Sequence, residues 1–374
     1  MTLSIGDGLD RADVNLTDWA ADDCAGRAAV QLSRFALARL HYLEEHYGLV
    51  PSAECIVGPD SSPSRNPGRL AAGYSTGGEV WWSPGRPFMP VDMLPNCCGI
   101  TVGRLLGSAE PLKEYYDRLD LAAASPGAIQ GHPVIVDINR KNHFAGLFRG
   151  DDEAIYVMIH CSAPELRSTS STGLGLSWLD SPALNRITRT LETPAGPVHY
   201  VCDTDAERYM ETLDEAQQFA RTKREALLTR IFGQAEVLSD RQHQGYVTSS
   251  HAVLGSQLPD ERSELYPFLL GPDAASWLVT LSDPAAPSQE EHSLAYLPHG
   301  AGYRYGGAFA SVTVSHGVAG FTFELASGHG ATFRTRSLDS IPFEYRAIEH
   351  LDRIERLGMC TRRVRLDPIA TFRL

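Results

Sequence analysis

The sequence predicts an α+β fold in which helices pack against mixed or antiparallel sheets. In two long segments, residues 22–47 and 205–232, apolar side chains recur every three or four positions, as in amphipathic helices. Residues 155–159 form a short β-branched run that is typical of a buried strand. Residues 310–325 alternate apolar and polar side chains around a glycine-bounded turn, which predicts a hairpin. No repeat or linker divides the chain, so we expect a single domain over residues 1–374.

The ends of the predicted helices carry residues that suit those positions. Asp22 and Asp23 can accept hydrogen bonds from the first turn of the first helix, and Gly48 follows its last turn. Gly233 ends the second helix, and Pro342 is placed to begin a third. These residues set the limits of three helices.

Composition narrows the class of protein. The chain has 374 residues, of which 43% are hydrophobic and 21% charged, as in ordinary globular proteins. It has no bilayer-length apolar run and no N-terminal signal pattern, so no membrane partner is expected. Seven cysteines without framework spacing predict a reducing, cytoplasmic location. The net charge of -13 argues against binding nucleic acid through bulk charge, and DNA is not an expected partner.

Two predicted strands lead directly into histidines. Residues 132–138 precede Asn142-His143-Phe144, and residues 155–159 precede His160. Polar residues at the ends of strands commonly build functional sites. We therefore expect these two histidines to contribute to one.

Four residues are candidate metal ligands, namely Cys98, His143, His160 and His251. They lie far apart in the sequence, so no local zinc-finger spacing supports them, and a structural role is the alternative for each. Their ligand types alone favour zinc, because thiolate and imidazole suit softer metals than manganese. His350 is expected to face solvent on a helix, and nothing around His243 marks it as a ligand.

One histidine lies between a proline and a Gly-x-Gly pair, in Pro298-His299-Gly300-Ala301-Gly302. Glycines remove side chains beside the ring, which suits the close approach of a phosphate. A neutral imidazole can attack phosphorus and carry the transferred group covalently. The alternative is a glycine-rich turn around a buried structural histidine.

The motifs together resemble the RtcB family of RNA ligases, in the order in which that family has them. The matching segments are Pro59-Asp60, Asn96-Cys97-Cys98-Gly99, Asn142-His143-Phe144, Val157-Met158-Ile159-His160, Ala216-Gln217-Gln218-Phe219-Ala220, His251 and His299-Gly300-Ala301-Gly302. The resemblance begins near residue 55, and residues 1–54 match poorly. It implies a GTP- and manganese-dependent ligase that joins an RNA 3′-phosphate or 2′,3′-cyclic phosphate to a 5′-hydroxyl, with RNA, GTP and an activating protein as partners.

The resemblance also implies roles for individual residues. His299 would be guanylated, Cys98 would bridge two metal ions, His160 and His251 would bind one ion, and His143 the other. Asn142, Gly300, Ala301, Gly302 and Arg373 would contact the nucleotide. Arg221, Lys223 and Arg224 are candidates for an RNA track, with solvated helix charges as the alternative.

Several family positions have changed, which leaves other functions open. Pro95 stands where the family has a metal-binding aspartate, Gly146 replaces a glutamate, and a basic segment after His251 is missing. A specialised RNA repair ligase is one hypothesis, favoured by retention of His299. A catalytically degenerate homologue that binds nucleotide, metal or RNA is the second, favoured by Pro95. A metal-dependent hydrolase using the same ligands is the third.

Overall fold

The computed structural model describes residues 5–83, 88–138, 142–257, 265–271, 274–282, 296–306 and 309–374. It has the α+β class that the sequence predicts. The α-helices in these ranges are α1 (Ile5–Val14), α2 (Cys24–His46), α3 (Pro67–Ala71), α4 (Leu112–Ala124), α5 (Pro182–Ile187), α6 (Thr204–Phe232) and α7 (Ile348–Arg356).

A seven-stranded antiparallel sheet carries most of the candidate ligands. In spatial order its strands are β12 (Ala235–Gln242), β5 (Gly99–Leu105), β9 (Ile155–Cys161), β8 (Phe144–Gly150), β22 (Cys360–Phe372), β16 (Ser276–Leu281) and β15 (Tyr266–Phe268). Helix α6 packs against β5 and β9, which buries one broad apolar side of the helix.

A second large sheet has five strands. They are ordered β1 (Leu16–Asp18), β2 (Glu54–Pro63), β3 (Ser75–Trp81), β14 (His251–Leu254) and β13 (Gln244–Thr248). Only β1 and β2 run parallel among the strand pairs of the described residues. The long helix α2 packs on this sheet, and Asp23 caps its first turn by accepting a hydrogen bond from the backbone N–H of Gly26 at 2.8 Å.

Smaller sheets complete the fold. One contains β10 (Arg189–Leu191), β11 (Val198–Cys202) and β4 (Phe88–Pro90), and another β18 (Phe309–Gly317), β19 (Gly320–Ser327) and β20 (Thr332–Thr335). Two ribbons pair β6 (Ala128–Ile129) with β7 (His132–Pro133), and β17 (Tyr303–Tyr305) with β21 (Phe343–Tyr345).

Several predicted elements are confirmed and two are corrected. Helices α2 and α6, strand β9 and the β18–β19 hairpin lie where the periodicity places them. The predicted strand over residues 132–138 is reduced to the two residues of β7. The third helix begins at Ile348, because the residues after Pro342 pair with β17 instead of entering a helix. Within the described residues, no helix is both long and apolar enough to cross a bilayer.

Candidate functional site

Cys98, His143 and His160 converge in the interior of the protein. The Sγ atom of Cys98 lies 3.2 Å from Nε2 of His143 and 3.1 Å from Nε2 of His160. All three residues are buried, and their ligand atoms lie within 4.8 Å of one another. This group could hold a metal ion.

The pairing of neighbouring strands brings these ligands together. In the seven-stranded sheet, β9 lies between β5 and β8. His160 on β9 pairs with Ile100 of β5 on one side and with Phe144 of β8 on the other. Cys98 and His143 immediately precede β5 and β8, so both lie beside His160, near the end of β9.

Hydrogen bonds at Nδ1 orient the two histidines so that Nε2 is the ring atom left to bind an ion. Nδ1 of His143 donates to the Asp137 side chain at 3.0 Å, and Nδ1 of His160 donates to the backbone carbonyl of Asn142 at 3.1 Å. Each ring therefore turns Nε2 toward Cys98, as metal-binding histidines do. Tetrahedral zinc would separate sulfur and nitrogen donors by about 3.6 Å, so an ion fits after an opening of a few tenths of an ångström.

The pKa values of His143 and His160 shift in opposite directions. Burial lowers the pKa of His160 well below 6.5, and the nearby His143 and His299 lower it further. Burial alone would also lower the pKa of His143, but the charges of Cys98 and Asp137 raise it to about 10. His160 is thus a neutral imidazole that could bind an ion, whereas His143 carries a proton that an ion would have to displace.

Asp137, which accepts a hydrogen bond from His143, also forms a buried ion pair with Lys223. The Lys223 ammonium donates to Asp137 Oδ1 at 2.8 Å and to Glu165 Oε1 at 2.8 Å. Asp137 also accepts from the backbone N–H and hydroxyl of Ser162. Because Asp137 has partners on both sides, its carboxylate is fixed where it meets the His143 ring.

His243 extends the cluster, although the sequence did not mark it. Its ring centroid lies 5.2 Å from that of His160, and its backbone N–H donates to the Cys98 carbonyl at 3.0 Å. Its Nδ1 is buried without a hydrogen-bond partner among the described residues. Burial and the neighbouring histidines His299 and His160 lower its pKa well below 6.5, so the ring is a neutral donor.

His299 lies against His243, and the backbone of Gly255 connects the two residues. Its ring stacks on His243, with centroids 4.3 Å apart and an interplanar angle of 16°. Nδ1 of His299 donates to the Gly255 carbonyl at 2.6 Å, and the Gly255 N–H donates to the His243 carbonyl at 2.6 Å. With the proton on Nδ1, the lone pair of His299 lies on Nε2, which is the arrangement a nucleophile needs.

The turn after His299 requires glycine. Gly302 has φ of +66°, and a Cβ there would lie 2.0 Å from the backbone oxygen of Asp60. The Asp60 carboxylate accepts from the Tyr296 hydroxyl at 2.5 Å, and its other oxygen lies 3.6 Å from Nδ1 of His299. The Gly-x-Gly pair therefore lets the histidine loop pack directly on the Asp60 backbone.

A cavity of about 530 Å³ opens onto these histidines. Of the residues expected at the nucleotide, Asn142, Gly300, Gly302 and Arg373 line it, whereas Ala301 is fully buried behind the turn. Four arginines line the same space, namely Arg65, Arg69, Arg167 and Arg373. Only Arg373 was expected there, because no sequence motif or periodicity singles out Arg65, Arg69 or Arg167.

His251 is not part of the cluster, so its prediction as a ligand is wrong. It pairs with Trp81 across the β14–β3 ladder, and its ring stacks on that tryptophan at 4.5 Å. Its Nε2 lies 3.0 Å from the buried Glu79 carboxylate. The residue does not line the cavity, and His243 from the preceding segment lies beside His160 instead.

Two of the residues predicted to contact RNA are also corrected. Lys223 and Arg224 are buried, the first between Asp137 and Glu165 and the second against Asp240 at 2.7 Å. Their charges are neutralised inside the protein, so they cannot form a surface track. Arg221 is exposed, but it does not line the cavity.

Comparison with known proteins adds no assignment. No family model matches the chain, and no curated protein matches it. The resemblance to RtcB ligases therefore rests on the ordered motifs, and the activity it implies is a proposal.

Proposed function

We propose that this protein is an RNA ligase that joins an RNA 3′-phosphate or 2′,3′-cyclic phosphate to a 5′-hydroxyl through guanylated His299. One observation carries the proposal. The Gly255 carbonyl holds the Nδ1 proton of His299, so Nε2 is available as a nucleophile beside a buried cysteine–histidine cluster. A histidine in a merely structural turn would not need that combination.

The reaction has three steps, and in each step one bond to phosphorus forms as another breaks. His299 Nε2 attacks the α-phosphorus of GTP, forming a P–N bond as the bond to pyrophosphate breaks. An oxygen of the RNA 3′-phosphate then attacks the same phosphorus, and the P–N bond breaks. The 5′-hydroxyl finally attacks the activated RNA phosphorus, losing its proton to solvent as GMP leaves. A 2′,3′-cyclic phosphate first needs opening by water.

Cys98, His143 and His160 would hold a metal ion, with His243 as a further donor. The ion would supply positive charge to phosphate oxygens. Manganese follows from the family resemblance, whereas the ligand types favour zinc. We propose a manganese-dependent reaction and treat zinc as the competing metal.

The cavity suits a nucleoside triphosphate in size and charge. Its volume of about 530 Å³ falls within the usual range for ligand pockets. The arginines that line it offer planar donors that match phosphate oxygens. Asn142 and the glycines beside His299 would contact the nucleotide, which agrees with their place on the lining.

The test is covalent labelling followed by intact-mass measurement. The wild-type protein, incubated with GTP and Mn²⁺, should gain the mass of one GMP. The adduct should be acid-labile and stable to alkali, as expected for a phosphoramidate. His299→Ala should lose it, and exposed His329→Ala should keep it. Label retained in His299→Ala would refute the assignment.

A second candidate is a catalytically degenerate homologue that binds nucleotide and metal. It is favoured by Pro95, which lines the cavity where the family has an acidic ligand. The described residues lining the cavity include one carboxylate, that of Asp60. Absence of any adduct with Mn²⁺, Zn²⁺ and Co²⁺, together with measurable GTP binding, would support this candidate.

A further inference from the structure

A second cavity, of about 290 Å³, adjoins the candidate site. Ser64, Arg65, Tyr303 and Phe343 line both cavities, so the two spaces meet along a common wall. We call the second one the aromatic cavity, because five aromatic residues line it: Tyr303, Tyr305, Phe321, Phe323 and Phe343. Its position beside His299 connects it to the chemistry proposed above.

The wall between the cavities is the β17–β21 ribbon. Tyr305 pairs with Phe343 across this ribbon, and Tyr303 pairs with Tyr345. The rings of Tyr303 and Phe343 meet edge to face, with centroids 5.2 Å apart. Phe343 and Tyr345 are each 39% exposed, which leaves aromatic surface available beside the two cavities.

Positive charge accompanies these rings. The Arg65 guanidinium lies 4.0 Å over the Phe343 ring, and the exposed Arg336 lines the same cavity. Aromatic faces interleaved with arginine are typical of surfaces that bind single-stranded nucleic acid. Bases stack on the rings while arginines contact the backbone, and a paired base could not present its face in this way.

We propose that the aromatic cavity binds an unpaired base of the RNA strand whose 3′ end enters the candidate site. The inference rests on the proposed function for the identity of the strand. The base stacks on Phe343, and the exposed Arg336 contacts a phosphate of the strand. Tyr303 follows His299 by four residues, so the bound base belongs to a nucleotide close to the reacting phosphate.

The experiment measures RNA binding by fluorescence anisotropy without GTP. The probe is a 5′-labelled single-stranded RNA twelve-mer with a 3′-phosphate, compared with the same strand whose last three nucleotides lack bases. Phe343→Leu keeps apolar bulk and should weaken binding of the full strand about tenfold. Arg336→Gln removes a positive charge from the cavity lining and should flatten the salt dependence of binding by about 0.7 units of slope. Phe333→Leu alters an exposed ring that lines neither cavity and is the matched control.

The abasic strand should bind more weakly to the wild-type protein, and Phe343→Leu should have little further effect on it. Equal binding of the two strands, or wild-type affinity in Phe343→Leu, would overturn the inference. Guanylylation of the wild-type protein is measured on the same preparation. Its absence would remove the proposed function, whereas the RNA titrations would still decide whether the cavity binds a base.

Discussion

The rings of His243 and His299 stack with centroids 4.3 Å apart, and both histidines bond to Gly255. The contact links the neutral imidazole of His243, which lies beside the candidate metal ligands, to the proposed nucleophile. His243 therefore supports His299 by stacking, and its ring nitrogens make it a candidate for a second role as a further metal ligand.

Substitution of His243 can separate these roles. His243→Phe keeps an aromatic surface under His299 but removes the nitrogen donors, so metal affinity should fall at least tenfold if His243 is a ligand. His243→Ala should lose the stacking as well and slow guanylylation further. Chelator competition measures the metal affinity, and intact mass follows the adduct. Unchanged metal affinity in His243→Phe would show that the ring only stacks.

Cys98 should provide the thiolate in the metal site. Cobalt bound to the wild-type protein should show a sulfur-to-cobalt charge-transfer band, and Cys98→Ser should lose it. Cys97→Ala is the matched control, because Cys97 is also buried but lies outside the ligand group. Loss of the band in Cys97→Ala with retention in Cys98→Ser would reverse the assignment.

Asp137 should act through His143. Asp137→Asn weakens the acceptor that orients the ring, so metal affinity should fall about 10- to 100-fold. Lys223→Met should instead destabilise the protein by about 3–5 kcal/mol, because it removes the ammonium that pairs with the buried Asp137 and Glu165 carboxylates. The measurements are metal titration and urea unfolding. Glu236→Gln, in an exposed pair with Arg104, should change neither appreciably.

Because Lys223 and Arg224 are buried, an arginine that lines the cavity is the better candidate for a contact with RNA. Arg373 lines the cavity, so Arg373→Gln should flatten the salt dependence of single-strand binding by about 0.7 units of slope. Arg221→Gln changes a charge that pairs with Glu225 outside the cavity and should leave the slope unchanged. The opposite pattern would indicate that Arg221 on helix α6, and not Arg373, contacts RNA.

Stability should fall in mild acid because of His350. Burial and the nearby Arg346 lower its pKa from 6.5 to about 4. Between these values the unfolded chain binds a proton that the folded protein does not, so stability rises with pH through this window. Urea unfolding at pH 7 and pH 5 should show a loss of roughly 1–2 kcal/mol attributable to this group.

His350→Gln cannot titrate, so its stability should change less between the two pH values than that of the wild type. Exposed His329→Gln should behave like the wild type. An identical pH dependence in all three proteins would show that other buried groups account for the loss.

Local sequence patterns predicted the long helices and strands because the buried residues of these elements recur with the period of a helix or form a continuous apolar run. Helix α6 and strand β9 bury continuous apolar faces, and the Asp23 cap acts within a few residues. The N-terminal part of the predicted third helix failed because Phe343–Tyr345 gains strand partners far away in sequence. Propensity carries no information about such pairing.

The candidate site was predicted in part for the same reason. Cys98, His143 and His160 follow or occupy strands whose pairing assembles them, and their motifs stood out. His251 begins β14 and His243 immediately precedes β13 of the same hairpin, and only the three-dimensional course of that hairpin shows which histidine meets His160. His350 lies on a helix as expected, but neighbouring elements bury it.

The scattered origin of the candidate metal ligands has a consequence for how the protein would acquire an ion. Cys98, His143 and His160 come from three separate segments, so the unfolded chain does not hold these three residues together. The ion should therefore load after the sheet has formed, unlike the ion of a zinc finger, which directs folding. Refolding rate should then be independent of metal concentration, while unfolding slows as metal is added, because the ion binds only the completed sheet.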